Sequence, residues 1–271
     1  VRRVYVPIQI NASDPEAQGL LACYVASFGG MVNLLTQKPG VVTKASTSAI
    51  TRPSANGTLD AYFSNGDQHN FGTQPVMNTG VDWTVVWESY LEGIGGAFDA
   101  YPGIAIFARG DGDPMRLGYS SDAAYDDIYF GTRSGGVGQQ SFLLPSGITK
   151  VGQRHWGVIV QRNGTKACYV NGVECASTTC GSLAVITDDI RIGGTSGTTA
   201  DWNGFIRQVR TYRRAWTREE AFRFWHPATR DALFSTDRAW QQFRAPPLVG
   251  GGGFKAAWAM GSTHMIGAGV H

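Results

Sequence analysis

Carboxylates are the first residues to weigh, because acid–base chemistry and cation binding both draw on them. Asp111 and Asp113 stand in Arg109-Gly110-Asp111-Gly112-Asp113-Pro114, a tight Gly-rich loop between two strand-like segments. Asp126-Asp127 and Asp188-Asp189 are two further acidic pairs. Calcium takes about six to eight oxygen ligands, several of them carboxylates or carbonyls. Asp111 and Asp113 are therefore the candidate calcium ligands. The competing reading is that Asp and Gly simply make the turn. Retaining glycoside hydrolysis needs two carboxyl groups about 5–5.5 Å apart. The nearest pair, Glu88 and Glu92, is roughly 13 Å apart along a strand. It reads as exposed strand-end charge. There is no Gly-x-Ser-x-Gly elbow, no His-Glu-x-x-His and no phosphate loop. His69, His155, His226, His264 and His271 are scattered, with no metal spacing. The residues argue against an enzyme.

A sugar site needs an exposed aromatic platform with amide or carboxylate partners. Tyr101, Tyr119, Tyr125 and Trp202 lie near expected loops and are the candidates. Each has the core of an aromatic-rich sandwich as its alternative place. The cysteines are Cys23, Cys168, Cys175 and Cys180, with no CxxC pair, so zinc is not expected. If Asn171-Gly172 is a two-residue hairpin turn, Val170 pairs with Val173 and Cys168 faces Cys175. Those Cα atoms then lie about 5.5 Å apart, which permits a bridge. Two semi-buried thiols are the other reading.

The elements that position these residues are mostly short strands. Charged residues make up 16% of the 271, against roughly 25% in an average protein, and 36 residues are Gly. This composition excludes a disordered chain, a coiled coil and a charged helical bundle. Trp83, Val85 and Trp87 alternate with Thr84, Val86 and Glu88, apolar on both faces, as in a strand covered on both sides. Further strands are expected at 103–109, 115–119, 127–131, 140–144, 155–162, 166–170, 173–175, 189–194 and 205–212. Asn163-Gly164 and Asn171-Gly172 mark hairpins. Val4 to Ile8 reads as a strand rather than a signal peptide. One helix is expected after the capping box Thr217-Arg218-Glu219-Glu220. Phe222 and Trp225 would pack on the sandwich, and Pro227 would stop the helix.

The net charge of +2 is no nucleic-acid footprint. From Phe205 to Arg244, however, nine Arg stand against four acidic residues. That excess reads as a solvated face or an anionic partner surface. There is no apolar run of roughly 18 residues, so no membrane span is expected. After Ala245-Pro246-Pro247 and Gly250 to Gly253, the chain becomes small, apolar and nearly uncharged. Phe254, Trp258, Met260, Met265 and Ile266 are its candidate assembly residues, expected to dock on the chain's own domain or on a neighbouring subunit.

His155-Trp156-Gly157-Val158, Cys168-Tyr169-Val170-Asn171-Gly172-Val173, Ile190-Arg191-Ile192-Gly193-Gly194 and Trp202 to Glu220 form an ordered set. It resembles the laminin G-like, concanavalin A-like lectin/glucanase family. Phe205 near the family's Gly-Ile step and Trp216 where Leu is common are small departures. The resemblance implies an all-β, two-sheet antiparallel jelly-roll sandwich with one short C-terminal helix and an extended apolar tail. The expected division is an N-terminal arm or edge strand (1–20), a jelly-roll domain (21–226), and a linker with a docking tail (227–271). It implies no single function. Glucanase members carry acidic residues at alternate strand positions, Glu-x-Asp-x-x-Glu, which this sequence lacks.

The overall construction is similar to tailed-phage structural proteins. The first expectation is thus a non-enzymatic virion or decoration protein, partnered by other virion proteins or by copies of itself. The alternative is an extracellular glycan-binding adhesin, helped by calcium or needing no cofactor.

Overall fold

In the computed structural model of the chain, the described residues are 9–27, 30–43, 51–53, 59–63, 67–73, 82–92, 103–107, 115–119, 127–132, 140–144, 152–163, 165–177, 189–193 and 202–234. They form strands with one α-helix. In chain order these are β1 (Leu20–Ser27), β2 (Gly30–Asn33), β3 (Lys38–Pro39), β4 (Val41–Thr43), β5 (Thr51–Pro53) and β6 (Leu59–Phe63). Next come β7 (Gln68–Thr73), β8 (Trp83–Leu91), β9 (Gly103–Phe107), β10 (Met115–Tyr119), β11 (Asp127–Thr132) and β12 (Gln140–Leu143). The last are β13 (Arg154–Arg162), β14 (Thr165–Val170), β15 (Val173–Ser177), β16 (Asp189–Ile192) and β17 (Gly204–Tyr212), followed by α1 (Arg218–Trp225).

Among the described residues the strand pairings are antiparallel and sort into two sheets. The first runs β3-β2-β1-β17-β8-β13-β14-β15. One edge of β17 is shared. Its second half pairs with β1, and its first residues pair with β6, which carries β5. The second sheet runs β4-β7-β16-β9-β10-β11-β12. β15 joins the two: Val173 to Cys175 pair with β14, and Ala176 and Ser177 pair with β12.

Period-two alternation gives each strand of the first sheet an inner and an outer face. Inner residues Trp83, Val85, Trp87, Ile159 and Val209 meet Ile104, Leu117, Ile128, Phe142 and Ile192 of the second sheet. An enclosed Trp removes about 150–250 Å² from water, a gross gain of roughly 4–6 kcal/mol per side chain. The outer face of β8 is covered as well, as its two-sided apolar pattern requires. Val86, Val158, Tyr169 and Tyr212 pack under Trp216, Ala221 and Phe224. Cys23 and Val25 pack under Leu233 and Phe234.

The helix begins at the expected capping box. Thr217 Oγ1 accepts from Glu220 N at 3.2 Å, and Thr217 N donates to Glu220 Oε2 at 2.8 Å. Its packing face differs from expectation. Ala221 and Phe224 are the buried pair, while Phe222 is 44% exposed. The reason is Trp216, whose ring takes Phe224 edge-on at 6.1 Å and sets the helix rotation. Phe222 and Trp225 fall on the next stripe and cover the Gly172 turn instead.

His155 pairs with Ser89 of β8 two residues before the β14 ladder begins at Gly157, and its imidazole is buried. Val4 to Ile8 lie outside the described residues. The chain after them is anchored, since Ile10 bridges to Phe234 and Asn11 N donates to Leu233 O. Among the described residues, no helix is long and apolar enough to cross a membrane.

Candidate functional site

Part of the outer face of the first sheet is less deeply covered. β6, β17, β8 and β13 lie side by side there. The register sets Tyr62 opposite Phe205, Phe205 opposite Tyr90, and Tyr90 opposite Arg154. Directly opposed residues share a face. One row therefore crosses four strands: Tyr62, Phe205, Tyr90, Arg154. All four are only partly buried. The Tyr62 and Phe205 ring centroids are 5.0 Å apart and those of Tyr90 and Phe205 are 5.9 Å apart, tilted by 56° and 59°. The result is a stepped aromatic strip ending at a guanidinium.

Beside the strip, two residues along β6 and β8 on the same face, lies a buried ionic layer. Arg154 donates bidentately to Asp60, with Nη1 to Oδ1 at 3.1 Å and Nη2 to Oδ2 at 2.7 Å. Its Nη1 also donates to Glu88 Oε1 at 3.0 Å. Glu88 Oε2 accepts from Arg207 Nη1 at 3.1 Å and from Gln208 Nε2 at 2.9 Å. Arg207 Nη2 reaches Asp231 Oδ1 at 2.8 Å. Gln208 Oε1 accepts from Arg210 Nε at 2.8 Å, and Arg210 Nη1 meets Glu16 Oε2 at 2.9 Å. The Arg210 guanidinium is also held between the Phe224 and Phe234 rings, at 5.1 and 4.9 Å. A register shift between Ile206 and Gln208 supplies the extra residue, Arg207. It also turns Phe205 outward and Val209 inward, which simple alternation within β17 does not.

At Glu88 and Arg154 the neighbouring charges outweigh burial. Burial alone would raise the Glu88 carboxyl, but Arg207, Arg154 and Gln208 outweigh it and keep it below its ordinary range. Burial works to lower Arg154, and Asp60 with Glu88 reverses that to a net rise. Glu16 is pushed up by burial, with Arg210 opposing. Glu88 is thus not an exposed strand-end charge. It is 1% exposed, while Glu92, just past the strand, is in solvent. The Arg excess after Phe205 is not wholly a solvated face either, since Arg207 and Arg210 are consumed inside this layer.

The residues expected from sequence to bind ligand do not gather here. Trp202 is wholly enclosed in the core between the sheets, so it is no exposed platform. Tyr119 closes β10 opposite Ile128, and its side chain lies outside the described residues. Tyr101, Tyr125, Asp111 and Asp113 lie outside them too, as do Phe254, Trp258, Met260, Met265 and Ile266. Among the described residues, no group of three or more His, Cys, Asp or Glu is placed to hold a metal. The aromatic strip was not found by sequence reasoning. The alternations Asp60/Tyr62 and Glu88/Tyr90 are visible in the sequence, but their register across four strands is not.

Residues 63–221 match the sequence profile of the concanavalin A-like lectin/glucanases superfamily. No curated protein sequence matches the chain. Solved structures do match in fold. Domain 4 of an extracellular arabinanase from Geobacillus stearothermophilus, in complex with arabinotriose, aligns with TM-score 0.55 and 16% identity over 76% of this chain and 98% of that one. The binding domain of botulinum neurotoxin serotype G aligns with TM-score 0.54 and 12% identity, over 76% and 50%. Trypanosoma rangeli sialidase bound to the inhibitor DANA aligns with TM-score 0.53 and 12% identity, over 82% and 35%. This chain therefore spans about a third of the sialidase chain's length.

Proposed function

Because this chain belongs to the concanavalin A-like lectin/glucanases superfamily, we propose that it is a non-enzymatic carbohydrate-binding protein working outside the cell. The observation that carries the reading is the partly exposed row Tyr62, Phe205, Tyr90, Arg154. Sugars present apolar C–H faces bordered by hydroxyls. Aromatic rings take the former, and a fixed guanidinium and phenolic groups take the latter. The rings sit on strands of a central sheet, flanked on the same face by the Asp60–Arg154–Glu88 layer, so little ordering is needed on binding. An arabinanase domain holding arabinotriose shows the same fold at work on a sugar. Glu88, the carboxylate bound to the strip's Arg154, does not fit a general acid. A general acid at neutral pH needs a raised carboxyl, and Glu88 is lowered.

The test is a glycan array followed by titration of the best ligand. Phe205→Ala and Tyr62→Ala are each expected to weaken binding about tenfold, near 1.4 kcal/mol, with an unchanged circular dichroism spectrum. A protein that binds no glycan, or binds it equally well without those rings, overturns the proposal. Repeating the titration with calcium and with chelator tests a contribution from Asp111 and Asp113. A virion-assembly role is a separate proposal, supported by the apolar sequence of the tail. A protein lacking residues 246–271 is then expected to be monomeric where the full chain is an oligomer, as measured by light scattering. Equal masses would remove it.

A further inference from the structure

Two thiols unused by the proposed site stand opposite each other. Cys168 on β14 pairs directly with Cys175 on β15, three rungs from the Asn171-Gly172 turn. Asn171 and Gly172 both have positive φ, 52° and 77°. That is the two-residue hairpin turn whose twist matches its strands, and it fixes the register. Val170 and Val173 flank the turn as a hydrogen-bonded pair, so Cys168 and Cys175, two residues further along, are one as well, with Cα atoms about 5.5 Å apart. Bridged cysteines span about 4.4–6.8 Å. Both sulfurs face the core, Cys168 at 0% and Cys175 at 5% exposure, and both are free thiols.

We infer that Cys168 and Cys175 form a reversible dithiol–disulfide couple that staples the β14–β15 hairpin. The position gives the bond a consequence. β15 is the strand that leaves the first sheet at Cys175 to pair with β12 of the second. The turn it follows lies under Trp225 and Phe222 of α1. A bridge here ties together the place where both sheets and the helix meet. The reduced pair is stable at rest, because burial pushes the Cys168 thiol well above its ordinary value and suppresses thiolate. Reaction starts at β15. Among the described residues, Val173 to Cys175 have a ladder partner on one side only, so opening that edge releases Cys175 first.

The oxidant is a low-molecular-weight disulfide such as oxidised glutathione. The Cys175 thiolate attacks one of its sulfurs, forming a mixed disulfide and releasing one thiol. The Cys168 thiolate then attacks the Cys175 sulfur and expels the second thiol. Two protein S–H bonds become one S–S bond, and the oxidant is reduced to two thiols.

The test is incubation of the full chain with oxidised glutathione, followed by peptide mass mapping and thermal unfolding. The expected result is a Cys168–Cys175 peptide pair two mass units lighter than its reduced form. A thermal midpoint roughly 5 °C higher accompanies it, and dithiothreitol reverses both. In a Cys168→Ser protein the oxidant leaves the midpoint where it was. Thiols that stay free, a glutathione adduct that persists on Cys175, or pairing through Cys180 would each overturn the inference. Should Cys168→Ser fold poorly, Cys175→Ala provides the same comparison.

Discussion

Replacing Glu88 by Ala should cost about 3–5 kcal/mol of folding stability, the loss that follows removal of one partner from a buried ion pair. Few other single changes in this chain should cost as much. Glu88 is 1% exposed and is the one carboxylate that joins Arg154, Arg207 and Gln208. Without it, Arg207, itself 4% exposed, loses this buried carboxylate, and its contact with Asp231 is to a side chain that is 47% exposed. Glu88→Gln keeps the shape and one acceptor but not the charge, so it should cost less than Ala and still destabilise. Urea unfolding of the three proteins at neutral pH measures the order. A loss below 1 kcal/mol for Ala would mean that the layer is hydrated and not an ionic brace.

The same residue sets part of the acid response. The folded Glu88 carboxyl lies below its unfolded value. Its contribution is therefore complete above the unfolded pKa, about 4.3, and is lost as pH falls through the folded one. Glu220, held by Arg214 and the Thr217 cap against its own partial burial, acts in the same direction. Glu16 acts oppositely. Its folded pKa is raised by burial, so its contribution is complete below the unfolded pKa and lost as pH rises through the folded value. The acid limb of a stability–pH profile should accordingly flatten in Glu88→Gln, while the same substitution leaves the neutral-side slope unchanged.

The division between what the sequence announces and what it hides follows from the range of the interactions. Local chemistry announces the hairpins: Asn171-Gly172 fixes Val170 opposite Val173, and with it Cys168 opposite Cys175. The Thr217–Glu220 capping box likewise depends on four consecutive residues. The strands from Met115–Tyr119 to Gly204–Tyr212 are apolar enough for periodicity to reveal them within a residue or two. The strip is different. Tyr62 and Phe205 are 143 positions apart in the chain, and they become neighbours only because β17 divides one edge between β1 and β6. The ionic layer is hidden for a second reason. A Glu in an apolar strand looks like an exposed edge until its Arg partners, contributed by β13 and by a bulge in β17, come within 3.1 Å of it. Trp202 misleads in the opposite sense, as a ring near a loop that the sandwich nevertheless encloses.

Fold and strip meet at Gly204, and Gly204→Ala should damage both. Gly204 opens β17 with φ +147°, and an added Cβ would lie 2.1 Å from Tyr90 O and 2.8 Å from Glu92 N. Those are backbone atoms, so no rotamer relieves the clash. The start of β17 must move away from the end of β8, and these two segments carry Phe205 and Tyr90. Steric strain at a disallowed backbone position with no room to relax is expected to cost about 2–4 kcal/mol. Gly152→Ala is the comparison that separates the causes. It too has positive φ, +77°, but nothing lies within 4 Å of its added Cβ, so it should cost only about 1 kcal/mol from backbone strain. Thermal unfolding and sugar titration of both variants provide the reading. Gly204→Ala should lose sugar affinity at least tenfold while Gly152→Ala keeps it, because the proposed binding strip includes the 5.9 Å step between Phe205 and Tyr90. Equal affinity in the two would place the sugar elsewhere on the sandwich.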